Sequence, residues 1–487
     1  IKANDSGKRP VFSHVGGAQL GSGAEWRWSR TGDFYGNSNY PAWHSFEPWD
    51  DAYVKREEWH TTALYEVWNS LMLRTDYSRA ANGRDRAFWG AEFQGGPVST
   101  HLHMGRTPSA DDIQRWMLAG LASGMNGISF WNHRAEWFWG ECNGFGLLDP
   151  LGNTTERIEE AGRIGRAINR HADLFALGQP PPSRVALLVT DDLYHFAQGT
   201  RDQALRLLTY NLRGHYARLW RLGIPVDFVE ASEIAGGALS DYDAAILPMP
   251  LSLGDDYFAH LRDFVARGGL LISEACPGRF DAYGFCPRSQ MVGGAEEVFG
   301  ARHSSVQLVE EPGEPRWSPE ARGYGEFCPA TVFDGVGPLE GEQLQANFYV
   351  QTLELTSGAP ILTAGEDVVG VANQYGEGTA ILLGTFAGLC ATAHTHLESD
   401  ATIARLLRDY AGIGPDHDGT LLRRRREHGD KQAWFFINPL DVEVTETIDL
   451  EQFTSAEDLL SREVLDTLSG TSAITVAPIS IRCLVLS

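Results

Sequence analysis

Between residues 184 and 274, short wholly apolar runs alternate with longer stretches in which apolar residues recur every three or four positions. The run 184–190 predicts a buried strand. Over 202–222, Leu205, Leu208, Leu212, Tyr216 and Leu219 share one helical face. Strands follow at 225–230, 243–248 and 269–274, with a helix near 254–267. Strands alternating with helices predict an α/β fold with a parallel, doubly wound sheet. No phosphate-binding loop follows any of these strands, so a nucleotide site is not supported. From about 418 to 487 the runs become short and alternating, as in 433–438, 442–450 and 479–486, which predicts a small antiparallel β-sandwich. The basic run 423–426 reads as a solvated or ion-paired strand face.

The first 178 residues alternate as well. Candidate strands are 9–14, 32–35, 85–93 and 127–131, and candidate helices are 52–74, 109–123 and 154–176. Ser109 is the expected cap of the second helix, with Asp111 and Asp112 favouring its positive end. Four βα units are half of an eight-unit barrel, which usually takes ~250 residues. The segment 178–183 carries three consecutive prolines and reads as a linker.

Charge narrows the function. Forty Lys and Arg oppose 64 Asp and Glu, a net charge of −24. That excess repels phosphate backbones and anionic lipid, so no nucleic acid and no membrane is expected as partner. No apolar run reaches the ~18 residues of a membrane helix. Residues 1–10 have no leader-like apolar stretch, so a cytoplasmic location is expected. The six cysteines are scattered without a C-x-x-C pair. They read as buried free thiols, with a Cys276–Cys286 bridge as the one alternative, and no metal site or cofactor is expected.

Eleven of the 14 tryptophans fall before residue 178, a density that suits a concave binding site as well as a core. Active sites of parallel barrels lie at the C-terminal strand ends. There the strand 87–93 delivers Glu92 between Trp89 and Phe93, ahead of a Gly95-Gly96-Pro97 turn that leaves room for a ligand. The strand 127–131 ends in Trp131, with Asn132, His133, Arg134 and Glu141 beyond it. Asp33, Tyr35 and Asn37 come from the second strand. Carboxylates, amides and aromatic platforms together describe a sugar site, in which two carboxylates act as nucleophile and general acid. Each has a plainer alternative. Glu92 could be a surface carboxylate, Glu141 could pair with Arg134, Asp33 could be a turn residue, and the tryptophans could be core.

The stretch Glu92-Phe-Gln-Gly-Gly-Pro97, with Asp33-Phe-Tyr-Gly-Asn-Ser-Asn-Tyr-Pro41 before it and Gly127-Ile-Ser-Phe-Trp131 after it, resembles the second half of the catalytic barrel of family 42 glycoside hydrolases, the β-galactosidases. Residues 184–415 resemble that family's trimerisation domain, of glutamine-amidotransferase-like fold, and 418–487 its small β-domain. The resemblance implies three domains (1–178, 184–415 and 418–487), a homotrimer and a carbohydrate substrate. It implies a retaining mechanism with Glu92 as nucleophile. Glu141 would bind a sugar hydroxyl, Trp131 would line the sugar subsite, and Asp33 and Tyr35 would come from the sixth barrel strand. His101 stands near the place of the family's tryptophan after the nucleophile, and Gly144 replaces its histidine after the sugar-binding Glu. The family's acid/base lies on an Asn-Glu pair of the fourth strand, and Glu25, in a Gly/Ser/Trp loop, does not match it. The first four βα units are therefore expected elsewhere, as an N-terminal segment or a second chain.

Two further readings follow from the residues. Without an acid/base the chain could be a non-catalytic, oligomerising glycan-binding subunit. Glu274-Ala-Cys-Pro-Gly278 after a buried strand, with His396-Leu-Glu398 downstream, has a faint likeness to an amidotransferase thiol site.

Overall fold

The computed structural model describes residues 4–16, 20, 22–45, 62–100, 103–189, 202–281, 283–286, 291–309, 330–393, 396–415 and 417–487. Near the N-terminus, β1 (Phe12–Val15), β2 (Phe34–Asn39), β3 (Phe88–Gln94) and β4 (Gly127–Trp131) form a parallel sheet in that order. Helices lie between the strands, as a parallel sheet requires. The helix expected at 52–74 is described from Thr62 and continues to Asn82, with a π-helical stretch over Glu66–Leu73. Its expected start, 52–61, lies outside the described residues. The helix Ala110–Ala122 opens with a reciprocal cap: Asp112 N–H donates to the Ser109 hydroxyl (3.2 Å), and Ser109 N–H donates to the Asp112 carboxylate (2.8 Å).

One face of this sheet is core. Tyr35, Phe88 and Phe93 are wholly buried and share a cluster with Leu71, Ile113 and Trp116 from the helices. The other face carries a stack of aromatics. Phe12 lies on Phe34 (centroids 5.2 Å apart), and Phe34 on Trp89 (5.5 Å). Phe12 remains 47% exposed and Trp89 37%. Gly127, beside Trp89 on β4, has no room for a side chain, since a Cβ there would lie 2.8 Å from the indole.

The middle of the chain forms a nine-stranded sheet. Five parallel strands run in the order Val226–Glu230, Val185–Val189, Ala244–Leu247, Leu270–Ser273 and Gly378–Leu383. Four antiparallel strands extend it beyond Gly378–Leu383. Alternate residues of the parallel strands fall into two different cores: Val185, Leu187, Ile246 and Ile272 in one, and Ala186, Leu188, Leu247 and Leu271 in the other. Burial on both faces explains why these strands read as continuous apolar runs. The first of those cores also holds the helices of the N-terminal sheet, so the two regions share packing.

The last region pairs a four-stranded antiparallel sheet (Leu422–His428, Lys431–Ile437, Ile481–Leu486, Ala456–Asp458) with the two strands Val444–Asp449 and Thr471–Val476. Trp434, Phe436 and Leu484 from the larger sheet bury against Ile448, Ile474 and Val476 from the smaller.

Three expectations need correction. Arg426 is not on a solvated face: it is fully buried, and its guanidinium bonds to carbonyls of Leu121, Met125, Phe175 and Gly178. The segment after Gly178 is tied down as well, because Gln179 and Glu427 exchange backbone hydrogen bonds of 3.2 and 3.0 Å. The cysteines are not all buried: Cys276 and Cys483 are, as read, but Cys286 is exposed, and the alternative Cys276–Cys286 bridge is not formed.

Candidate active site

Two-residue periodicity alone would point Glu92 the wrong way. Trp89, on the aromatic face of β3, is followed by Gly90, Ala91 and Glu92, so strict alternation would send Glu92 towards the helices. A β-bulge intervenes. Against β2, Asn37 pairs with Gly90 but Ser38 pairs with Glu92; against β4, Gly90 pairs with Ile128 but Phe93 with Phe130. Both neighbours record one extra residue in β3, which inverts the phase. Bulges of this kind re-aim side chains next to functional sites.

The re-aimed carboxylate is half-buried and held at one oxygen. The Ser38 hydroxyl donates to Glu92 Oε2 at 3.0 Å, and the Tyr40 phenol donates to the same oxygen at 2.8 Å. His14, on β1, places its Nε2 2.9 Å from Ser38 Oγ. Burial pushes the Tyr40 phenol well above its ordinary range, and the negative charges of Glu92 and Glu141 push it further. Tyr40 therefore stays a neutral donor at any working pH. Its ring packs edge-on against Phe145 (5.4 Å) and Trp43 (6.0 Å).

The turn after β3 is shaped by close backbone packing. Gly95 and Gly96 were expected to make room for a ligand, but the chain itself fills that room. A Cβ on Gly95 would sit 2.9 Å from the Phe145 carbonyl oxygen, and one on Gly96 2.5 Å from that of Gly146. The buried Arg157 guanidinium ties the two turns together, donating to the carbonyls of Gly95 (3.0 Å) and Gly146 (3.2 Å). Gln94 fixes the segment after β2: its Oε1 accepts from Ala42 N–H (3.0 Å), and its Nε2 donates to Gly96 O (2.9 Å). Gly144 is packed against Ser99, which leaves no space for a side chain there.

The predicted site residues divide. Glu141 accepts a hydrogen bond from the Trp131 indole (3.1 Å) and is felt electrostatically by Tyr40, so Glu92, Tyr40, Glu141 and Trp131 gather at one end of the sheet. Glu141 does not pair with Arg134, whose guanidinium stacks on Trp137 instead (4.5 Å). Asp33 and Tyr35 lie elsewhere. The strand expected at 32–35 runs over Phe34–Asn39, so both sit at its N-terminal end. Asp33 accepts Val11 N–H (2.7 Å), as a turn residue would, and Tyr35 is buried on the helix side. His101 lies outside the described residues. Glu25 is buried on the short helix Ala24–Ser29 rather than in a loop. His14, Ser38 and Tyr40 escaped the sequence reading, although Ser38 and Tyr40 stand in the Asp33–Pro41 stretch at the alternation that a longer strand gives.

The thiol reading of the middle region meets a physical obstacle. Cys276 is wholly buried, and burial pushes its thiol up to about 11, against the opposing pull of Arg279. A nucleophilic cysteine needs its thiolate. Glu274 is occupied by His215 (2.7 Å), Asn211, Met249 N–H (2.7 Å) and Gly388 N–H (2.8 Å). His396 caps the helix Leu397–Ala411 through Ser399. Iodoacetamide applied to the native protein should mark exposed Cys286 well before Cys276 and Cys483, read by peptide mass spectrometry; early alkylation of Cys276 would contradict this burial.

Comparison with known proteins agrees with this architecture. A β-galactosidase family model matches residues 8–171, and a β-galactosidase trimerisation-domain model matches 184–412. Together they cover about four-fifths of the chain, which belongs to the family 42 glycoside hydrolases. The β-galactosidase BgaH of Haloferax lucentense is 24% identical over 460 residues, 90% of this chain and 63% of that protein. GanA of Bacillus subtilis, also a β-galactosidase, is 20% identical over 327 residues, 65% of this chain and 44% of that one. The chain thus spans about half the length of these relatives. The crystal structure of the β-galactosidase from Bacillus circulans sp. alkalophilus shares the fold, with a TM-score of 0.74 at 15% identity over 98% of this chain and 63% of that one. The enzyme from Halorubrum lacusprofundi does so at 0.71 and 18%, over 98% and 64%. Among the described residues no helix is long and apolar enough to cross a membrane.

Proposed function

We propose that this chain carries the nucleophile side of a retaining β-galactosidase-like site. Glu92 attacks the anomeric carbon of a terminal β-glycoside, the glycosidic C–O bond breaks, and a general acid gives its proton to the leaving oxygen. The same group, now a base, takes a proton from water as water displaces Glu92 from the glycosyl-enzyme. For this chemistry the two carboxyls lie ~5–5.5 Å apart. The observation that carries the reading is the Glu92 carboxylate, re-aimed by a bulge and held at one oxygen by two hydroxyls, with Trp131 and Glu141 at the same end of the sheet. Trp131 and Glu141 bind the sugar, the indole by stacking and the carboxylate by accepting a hydroxyl.

The acid/base belongs to a further set of barrel strands, supplied by an N-terminal segment or a second chain. The uncovered layer of Phe12, Phe34 and Trp89 supports this, because it is the interior such strands would close over. The region 184–412 assembles three copies, which sedimentation of the whole protein checks. The deciding experiment is labelling with a fluorinated dinitrophenyl β-galactoside, whose good leaving group lets the first step proceed while the fluorine slows the second. Peptide mapping should find the sugar on Glu92; sugar on another residue would reject the assignment.

Tyr40→Phe keeps the ring packing and deletes one of the two donors to Glu92. A hydrogen bond to a charged group is worth about 1.5–3 kcal/mol, so the labelling rate should fall roughly 10- to 100-fold with little change in stability.

A further inference from the structure

Glu92 is approached from β1 by a relay that the proposed chemistry does not by itself demand. His14 Nε2 lies 2.9 Å from Ser38 Oγ, and Ser38 Oγ lies 3.0 Å from Glu92 Oε2. The three residues come from three neighbouring strands, β1, β2 and β3. Proton counting fixes the direction of both bonds. A hydroxyl carries one proton, and an ionised carboxylate only accepts. The Ser38 proton therefore lies towards Glu92, and Ser38 Oγ can only accept from His14. It follows that His14 carries a hydrogen on Nε2. Oε2 accepts its second hydrogen bond from the Tyr40 phenol (2.8 Å), so two donors converge on one oxygen. The other oxygen, Oε1, is left to face a ligand.

We infer that His14 is a positioning residue for the nucleophile: as an Nε2–H donor it orients the Ser38 hydroxyl, so that Oε2 is held from two sides and Oε1 is the atom presented to the anomeric carbon. The inference rests on the reading of Glu92 as nucleophile and adds the residue and the atom. Without His14, the Ser38 hydroxyl is free to rotate away and Glu92 keeps one fixed donor. Ser38 itself is almost wholly buried, so few other partners can replace the imidazole.

The test uses the labelling reaction on the whole protein with four variants: His14→Ala, His14→Gln, Ser38→Ala and the double His14→Ala/Ser38→Ala. His14→Ala should slow the covalent step about tenfold while leaving the half-saturating reagent concentration unchanged. His14→Gln, which restores an N–H donor, should recover most of the rate. In the Ser38→Ala background, His14→Ala should have no further effect, since the relay is already cut. Imidazole nitrogen shifts measured by NMR should show the Nε2–H tautomer of His14, without any reaction being needed. Equal rates for wild type and His14→Ala, a His14 effect that persists in Ser38→Ala, or an Nδ1–H tautomer would each overturn the relay and leave Glu92 as nucleophile. Label on another residue, or none, would overturn the nucleophile reading and the relay with it.

Discussion

Replacing Glu92 by glutamine should abolish covalent labelling and reduce any glycosidase turnover at least ~10³-fold, about 4 kcal/mol of transition-state stabilisation. The substitution isolates chemistry from structure. Gln has the same shape, and its amide oxygen can still accept from Ser38 and Tyr40, the two donors that hold Glu92 Oε2. What it removes is the negative charge that attacks the anomeric carbon. Thermal unfolding of Glu92→Gln should therefore stay close to that of the parent. Glu141→Gln serves as the control. Its partner is the Trp131 indole, not the hydroxyl pair, so its loss should appear mainly in KM. A Glu92→Gln protein that still takes the label, or keeps a tenth of the turnover, would remove Glu92 from the mechanism and with it the reason for Ser38, Tyr40 and His14 to gather there.

Much of this arrangement was legible in the sequence, and the failures have physical causes. The doubly wound region could be read because strands buried on both faces must be apolar throughout, as Val185–Val189 is. Ser109 announced the helix Ala110–Ala122 because its hydroxyl and the Asp112 carboxylate close a local cap that no tertiary contact has to supply. Strand β2 was cut short after Tyr35 because Gly36, Asn37, Ser38 and Asn39 have low strand propensity, and a buried polar strand end does not read as one. That single error put Asp33 and Tyr35 in the site and left Ser38 and Tyr40 out of it. Glu92 was recognised as a strand-end carboxylate, but the extra residue in β3 that turns it inward leaves no mark in the pattern of apolar positions. The two glycines after it were read as empty space, whereas they are filled by the backbone of Phe145 and Gly146, which a sequence cannot bring to the same place.

Within the arginine run 423–426, Arg423 does pair with Glu446 (3.7 Å), but Arg426 departs from the reading and yields the largest stability effect. Arg426 is fully buried beneath the junction of the N-terminal and C-terminal regions. Its guanidinium donates to Leu121 O (3.2 Å) and Met125 O (2.8 Å), at the end of the helix Ala110–Ala122, and to Phe175 O (2.8 Å) and Gly178 O (2.9 Å), at the end of the helix Ala172–Leu177. Helix C-termini leave carbonyls without intrahelical partners and carry partial negative charge. One cation therefore closes two helix ends, and it also lies 5.6 Å from the Phe175 ring. Burial pulls the Arg426 guanidinium down to about 9, the cost of holding a charge there, and the carbonyls offset that cost. Arg426→Met keeps much of the volume but takes from Met125 O its donor, and leaves Leu121 O to Gly124 N–H (3.1 Å) and Phe175 O and Gly178 O to the long bonds of the Asn126 amide (3.4 and 3.3 Å). It should destabilise the protein by roughly 3–5 kcal/mol, measured by urea unfolding. Arg426→Lys keeps the charge but cannot span both helix ends, and should lose about half as much. Limited proteolysis of Arg426→Met should open the segment 179–183, because Gln179 pairs with Glu427, the neighbour of the substituted residue. Unfolding within ~1 kcal/mol of wild type, a typical surface-substitution effect, would mean that the two helix ends find other partners and that Arg426 does not bind the regions together.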